Sequence, residues 1–257
     1  MTPAFRFETG AATHVGNVRA RNEDAFLAEP KLGLWAVADG MGGHEAGDRA
    51  SQEVVKALAT VGYSTSAPDL LSRVQERLIT AHDEMKVIAA DSRAQLVGAT
   101  VVALLIHQTF YACVWSGDSR LYRLRGNKIE QISTDHSEVQ ELLERGVLSP
   151  DEARTWAGRN AITRAVGVHD ELEVEVLHGN VHARDTFLLC SDGLTDHLRD
   201  DEIGSILMSS TAERAAQSLI HLALERGGDD NITVVIVRCH EATARENTVI
   251  RPRSAGA

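Results

Sequence analysis

Four aspartates stand where short apolar runs of the chain break off. Asp39 follows Trp35-Ala36-Val37-Ala38 and precedes Gly40-Met41-Gly42-Gly43. Asp118 closes ACVWSGD, Asp192 closes FLLCSD, and Asp230 lies just ahead of NITVVIVR. Three of them have a neighbouring glycine: Gly40, Gly117 and Gly193. Apolar runs of this length bounded by glycine read as buried strands, so each carboxylate is expected where such a strand emerges or enters. A buried, unpaired carboxylate costs several kcal/mol, and the flanking stretches hold too few Lys and Arg to neutralise four that converge. Divalent cations would do it. An all-oxygen ligand set suits Mg²⁺ or Mn²⁺ rather than zinc or copper, and two such ions roughly 3.5–4 Å apart could turn a bridging water into hydroxide at neutral pH. The plainer reading is four unrelated turns or caps, because Asp-Gly is a common turn pair.

A second cluster, Arg19-Ala20-Arg21-Asn22-Glu23-Asp24, runs directly into the strand-like DAFLAE. Glu23 and Asp24 could add ligands or orient bound waters. The planar fork of an arginine grips two phosphate oxygens at once, and on spacing alone either Arg19 or Arg21 could do so. The plainer reading is a solvated charged turn. Cys113, Cys190 and Cys239 lie far apart in apolar runs with no C-x-x-C spacing. They read as small core residues in a reducing compartment rather than as zinc ligands or phosphate-cradling nucleophiles.

The elements that must carry these residues follow from periodicity. Strands are expected at 5–15, 24–29, 32–39, 99–107, 109–118, 119–125, 172–177, 185–193 and 231–239, the strand at 172–177 half-buried by its clean alternation. Helical patterning covers 47–58 and 69–90, where Leu70, Leu71, Val74, Leu78, Ala81 and Met85 recur at three- and four-residue spacing. Two more amphipathic stretches fall within 200–226. Residues 136–167 are polar, helical in parts and punctuated by Gly146, Gly158 and Gly167, as an excursion beside the main body would be. The order of elements points to an α+β domain over 1–240 with helices covering antiparallel sheets, followed by an aperiodic tail at 241–257.

The chain has 257 residues, 43% of them hydrophobic, and a formal net charge of −11. That content supports a sizeable core. The acidic balance argues against nucleic acid and anionic lipid as partners. The N-terminal MTPAFRFETG lacks the apolar stretch of a signal peptide and no run approaches membrane-spanning length, so a soluble cytoplasmic protein is expected.

GNVRARNEDAF, VADGMGGHEAG, GDSRLYRLR, TDHS, SDGLTD and GGDDNITVVIV, in this order from 16 to 237, resemble the motif series of the PPM family. These are the metal-dependent protein serine/threonine phosphatases also called protein phosphatase 2C, here in their compact bacterial form. The resemblance implies a central sandwich of two antiparallel β-sheets flanked by helices on both sides, with residues 136–167 as a flap beside the active site. It further implies that Asp39 bridges two Mn²⁺ or Mg²⁺ ions, that the Gly40 carbonyl binds one, and that Asp192 and Asp230 complete the pair. Glu23 or Asp24 would act through coordinated water. Asp118 with Asp192 would hold a weaker third ion. Arg19 would clamp the substrate phosphate, leaving Arg21 a bystander.

The implied reaction is direct hydrolysis of phosphoserine or phosphothreonine in proteins by a metal-activated water, reversing a cognate serine/threonine kinase, in a monomer. Two departures stand out. Met41 occupies a position where animal members carry His, so His44 becomes the candidate general acid, against a plainer role as a helix-start residue. Trp156-Ala157-Gly158 precedes Arg159-Asn160 where many relatives show His-Pro. A non-catalytic or signal-gated sensing module is the competing reading, but none of the metal-ligand positions is lost. A two-metal nuclease is disfavoured by the charge. Thr248, among the arginines of the tail, is a candidate phosphorylation site.

Overall fold

The computed structural model describes residues 4–42, 46–91, 97–153, 156–158 and 160–242. His44, Arg159 and Thr248 lie outside the described residues. The strands are β1 (Phe5–His14), β2 (Asp24–Glu29), β3 (Leu34–Met41), β4 (Gly98–Ala99), β5 (Val101–His107), β6 (Phe110–Ser116), β7 (Arg120–Arg125), β8 (Lys128–Gln131), β9 (Glu175–Asn180), β10 (Thr186–Cys190) and β11 (Ile232–Glu241). The helices are α1 (Ala46–Ala59), α2 (Ala67–Asp91), α3 (Glu138–Glu144), α4 (Pro150–Ala153), α5 (Asp192–Thr195), α6 (Asp200–Ser209) and α7 (Ala212–Glu225).

Two antiparallel sheets result. One has the order β1-β11-β10-β7-β8; the other runs β2-β3-β5-β6-β9, with β4 added against β3. The expected α+β sandwich is what forms. Strands buried on both faces explain the near-continuous apolar runs. On β5, Val102, Leu104 and Ile106 meet Trp35, Phe187 and Val235 between the sheets, while Val101, Ala103 and Leu105 turn outward. Those outward residues join Val54 and Leu58 of α1 and Leu70, Val74 and Leu78 of α2. On the far side Leu188, Cys190, Val234 and Ile236 pack under Ala215, Leu219 and Ala223 of α7. Helices at three- and four-residue apolar spacing thus cap a sandwich whose strands alternate at spacing two.

Several expected boundaries move. β3 does not stop at Asp39 but continues to Met41, because β4 pairs with Gly40 and Met41. The run 99–107 is broken at Thr100, whose N–H is drawn to the Asp39 carbonyl at 2.8 Å. β10 ends at Cys190 rather than 193, since α5 starts at Asp192. The strand expected half-buried at 172–177 forms at Glu175–Asn180 as an exposed edge. Its register is set by β6, from Trp115 opposite Glu175 to Phe110 opposite Asn180. Leu172 and Val174 instead pack against the helix-side core before pairing begins. Short β8, a polar hairpin partner of β7, has no apolar signature to announce it.

Candidate active site

The alternation that builds the core also aims the acids. On β3, Trp35 and Val37 point between the sheets while Leu34, Ala36 and Ala38 face the helices. A period of two places Asp39 on the inter-sheet side. Asp24 is its direct cross-strand partner on β2, an arrangement of like charges that opposes pairing. From the other sheet Ser191 reaches across, donating its hydroxyl to Asp24 Oδ2 at 2.7 Å while accepting the Thr233 N–H at 3.0 Å. The apolar interior therefore gives way at this end to a polar floor.

Thr100 fixes the middle of the site. Its hydroxyl accepts the Asp39 N–H at 3.0 Å and is 2.7 Å from the Ser119 hydroxyl. Ser119 belongs to the short Gly117–Ser119 link by which the chain crosses from one sheet to the other and presents Asp118. Asp192 opens α5, and one turn later the Asp196 N–H donates to its carbonyl at 2.8 Å. Asp230 precedes β11. Beside it Asn231 accepts the Glu23 N–H at 2.7 Å and donates to the carbonyls of Val15 and Arg21 at 2.8 and 2.9 Å. Arg19 Nη2 donates to Asp230 Oδ2 at 2.6 Å, and Arg21 contributes its backbone carbonyl to Asn231.

Gly40 is not the turn that the sequence suggested. It is extended strand, and a Cβ there would overlap the Gly47 carbonyl of α1. Its N–H donates to the Glu23 carbonyl at 3.0 Å. The glycine lets a helix approach the strand, and Glu23 folds its carboxylate against the same Gly47. Gly193 serves a similar close approach, to the Asn231 carbonyl.

Electrostatics follow from this crowding. Asp39 and Asp192 keep a little surface open to solvent, yet protein surrounds the rest of each side chain. Burial first, and then neighbouring carboxylates, hold both well above the usual carboxylate range; the leading neighbour is Asp24 for Asp39 and Asp118 for Asp192. Burial lifts Asp24 to about 6 and, with Asp135 behind it, Asp118 to about 7. Glu23 also rises through burial, opposed by Arg19. The Arg19 guanidinium is raised by its bond to Asp230.

The donor set fits hard divalent ions. Asp24 Oδ1 and Asp192 Oδ1 are buried acceptors with no hydrogen-bond partner among the described residues. Arg120, the nearby cation of β7, is committed to Asp135 at 2.6 Å. Cys113, Cys190 and Cys239 are buried and free, and desolvation raises every thiol, that of Cys190 to about 12. Among the described residues no three His, Cys, Asp or Glu side chains form a finished cage. The carboxylates would thus share ions with backbone carbonyls and water, as Mg²⁺ and Mn²⁺ accept.

The structure brings together Asp39, Asp118, Asp192, Asp230, Glu23, Asp24 and Arg19, all named from the sequence, and adds Thr100, Ser191, Asn231 and Asp196, which were not. Asn231, Ser191 and Asp196 stand inside quoted motifs, DDNIT and SDGLTD, without having been singled out there; Thr100 carries no local signal.

A sequence profile of protein phosphatase 2C matches residues 13–226. The chain belongs to the protein phosphatase 2C family. It is 38% identical over 222 residues to the serine/threonine protein phosphatase PstP of Mycobacterium tuberculosis, which covers 86% of this chain but only 43% of PstP. It is 37% identical over 235 residues to the serine/threonine phosphatase stp of Listeria innocua, covering 88% of this chain and 93% of that relative. Less than half of the mycobacterial relative is therefore represented, whereas the Listeria relative is spanned almost fully. In three dimensions the catalytic domain of PstP in complex with two manganese ions superposes with a TM-score of 0.85 at 35% identity, over 92% of this chain and 100% of that one. Among the described residues no helix is long and apolar enough to cross a membrane.

Proposed function

We propose that this protein hydrolyses phosphoserine and phosphothreonine in proteins. The observation that carries the reading is the cluster of buried carboxylates short of counter-charge, Asp24, Asp39, Asp118 and Asp192, with Arg19 at its rim. Asp39, Asp192, Asp230 and the Gly40 carbonyl would hold a pair of Mn²⁺ or Mg²⁺ ions, Glu23 or Asp24 would act through coordinated water, and Asp118 with Asp192 would hold a weaker third ion. Bound there, the ions supply a water nucleophile at neutral pH and offset charge on the phosphate.

The chain's own groups do the rest. Arg19 spends Nη2 on Asp230 and is 57% exposed in its side chain, so its fork has further N–H donors to turn toward phosphate oxygens. Thr100 holds the Asp39 backbone from two directions, and Ser191 fixes one oxygen of Asp24 while the other is buried without a donor among the described residues. Such preorganisation is what stabilises charge developing on phosphorus. Water protonates the departing alkoxide unless His44 does so. The substrates are phosphoproteins made by a cognate serine/threonine kinase, and the enzyme works as a cytoplasmic monomer.

The test is phosphate release from a phosphothreonine peptide by EDTA-stripped protein, with Mn²⁺ or Mg²⁺ added back and single-stranded DNA as a control substrate. Activity should return with the ion and be absent in Asp39→Asn and Asp192→Asn. A wild-type protein that binds Mn²⁺ yet releases no phosphate would refute the reading and favour a sensing module.

A further inference from the structure

The motif Thr134-Asp135-His136-Ser137 takes no part in the chemistry above, yet His136 is 7% exposed and bonded on every side. Its Nδ1 accepts the Gly117 N–H at 3.2 Å, and its own N–H donates to the Gly117 carbonyl at 2.9 Å. Its carbonyl accepts the Thr163 N–H at 2.8 Å. The ring stacks on Trp115 with centroids 6.0 Å apart and planes 18° from parallel. Nδ1 is an acceptor in the neutral ring, and Nε2 lies 3.3 Å from both Glu175 Oε1 and Arg164 Nη1. Arg164 closes the group, with Nη1 2.8 Å from the same Glu175 oxygen. Burial and Arg164 lower the pKa of the ring and favour this neutral form.

The two backbone partners of His136 belong to different parts of the site. Gly117 has a φ of +114° and no room for a Cβ against Thr100, so the link to Asp118 has little freedom of its own. Thr163 lies in the flap, held alongside by the Ser137–Ile162 bridge and by the Glu138 N–H to the Ala161 carbonyl at 2.9 Å. We infer that His136 is a positioning residue that couples the flap to the Gly117–Asp118 link, so that the Asp118 carboxylate is in place only when the flap is seated. The inference deepens the phosphatase reading and rests on it for the role of Asp118. Substrate that moves the flap would thereby alter ion retention at Asp118.

Wild-type protein gives the first test, without any substitution. Hydrogen exchange should give the Gly117 and Thr163 amides one common opening free energy after correction for their intrinsic rates, because both bonds end on His136; clearly separate opening free energies would overturn the coupling. Variants then divide the side chain's roles. His136→Asn keeps an acceptor where Nδ1 was, whereas His136→Gln moves it away and His136→Ala removes it.

In variants whose melting shows a folded protein, Gln and Ala should speed exchange at Gly117 and at 161–163 together. They should also weaken the weakest calorimetric Mn²⁺ step of EDTA-stripped protein about 10–100-fold, leaving the tighter steps alone. Asn should stay close to wild type in both. Equal behaviour of Asn and Gln would reduce His136 to packing and end the proposal. Exchange and Mn²⁺ binding need no turnover, so a wild-type protein without phosphatase activity would sink the functional reading while these readouts still decide the coupling.

Discussion

Strand β10 has an aspartate beyond each end, and the two are treated in opposite ways. Asp185, just before Thr186, is fully buried and matched. Arg125 Nε and Nη2 meet its two oxygens at 2.7 Å each, and the His182 N–H adds a third bond at 2.8 Å. Asp192, just after Ser191, has a buried Oδ1 without a donor and several carboxylates around it. Burial alone therefore does not mark a functional acid, since a bidentate arginine makes such a group structural. Missing counter-charge does, because the fold is then left holding repulsion that a ligand can relieve.

The sharpest way to break this contrast is to neutralise each end. Asp192→Asn should cut phosphopeptide turnover by about 10³-fold or more, since it removes a charge proposed to hold the ions. Its metal-free melting temperature should hold or rise, because like-charge repulsion is relieved. A variant retaining full turnover would remove Asp192 from the site.

Asp185→Asn should do the reverse, costing about 2–4 kcal/mol of stability by stranding Arg125, which is itself partly exposed. The Mn²⁺ dependence of activity should stay that of wild type. Denaturant melts that show no loss would mean the buried pair contributes nothing net.

The pH dependence of the metal-free protein sharpens the comparison further. Asp24 near 6 and Asp118 near 7 are raised above the ordinary 3.8. The folded state then binds more protons than the unfolded one between about pH 4 and 7. Stability from these groups is fully present below pH 4 and lost as pH climbs through 6 and 7. EDTA-treated protein should melt at falling temperature from pH 5 to 8, and saturating Mn²⁺ should flatten that slope. A metal-free melting temperature that rises over the same range would contradict the assigned burial of these acids.

The smallest effect on the fold is expected at the rim. Arg19–Asp230 is a solvent-facing pair, so Arg19→Ala should change stability by under about 0.5 kcal/mol. KM for a phosphopeptide should nevertheless rise about tenfold or more, the worth of a charged hydrogen bond. An unchanged KM would shift phosphate binding to another donor.

Much of this was legible from residue order. Apolar runs broken by Asp located the strands and the acids they present, and amphipathic spacing located α1, α2 and α7. What escaped had no chemistry that its sequence neighbours could reveal. LEVEVL alternates like a half-buried strand, but β6 fixed pairing three residues later and left Val176 and Leu177 on an edge. Gly40 looked like a turn and proved to be a gap left for a helix. Ser191 and Thr100 are ordinary small polar residues whose value comes from the atoms opposite them.

By itself the sequence determined which residues would be buried, which acids would lie at the ends of buried runs, and which family the chain resembles. These depend on hydrophobic period and residue type, which are properties of neighbours along the chain. Only the tertiary structure decided that Asp24 would face Asp39, that Arg125 would satisfy Asp185 while Asp192 kept an oxygen without a donor among the described residues, and that His136 would bond both Gly117 and Thr163. Those outcomes depend on strand register and on contacts between residues far apart in sequence, and no local periodicity encodes them.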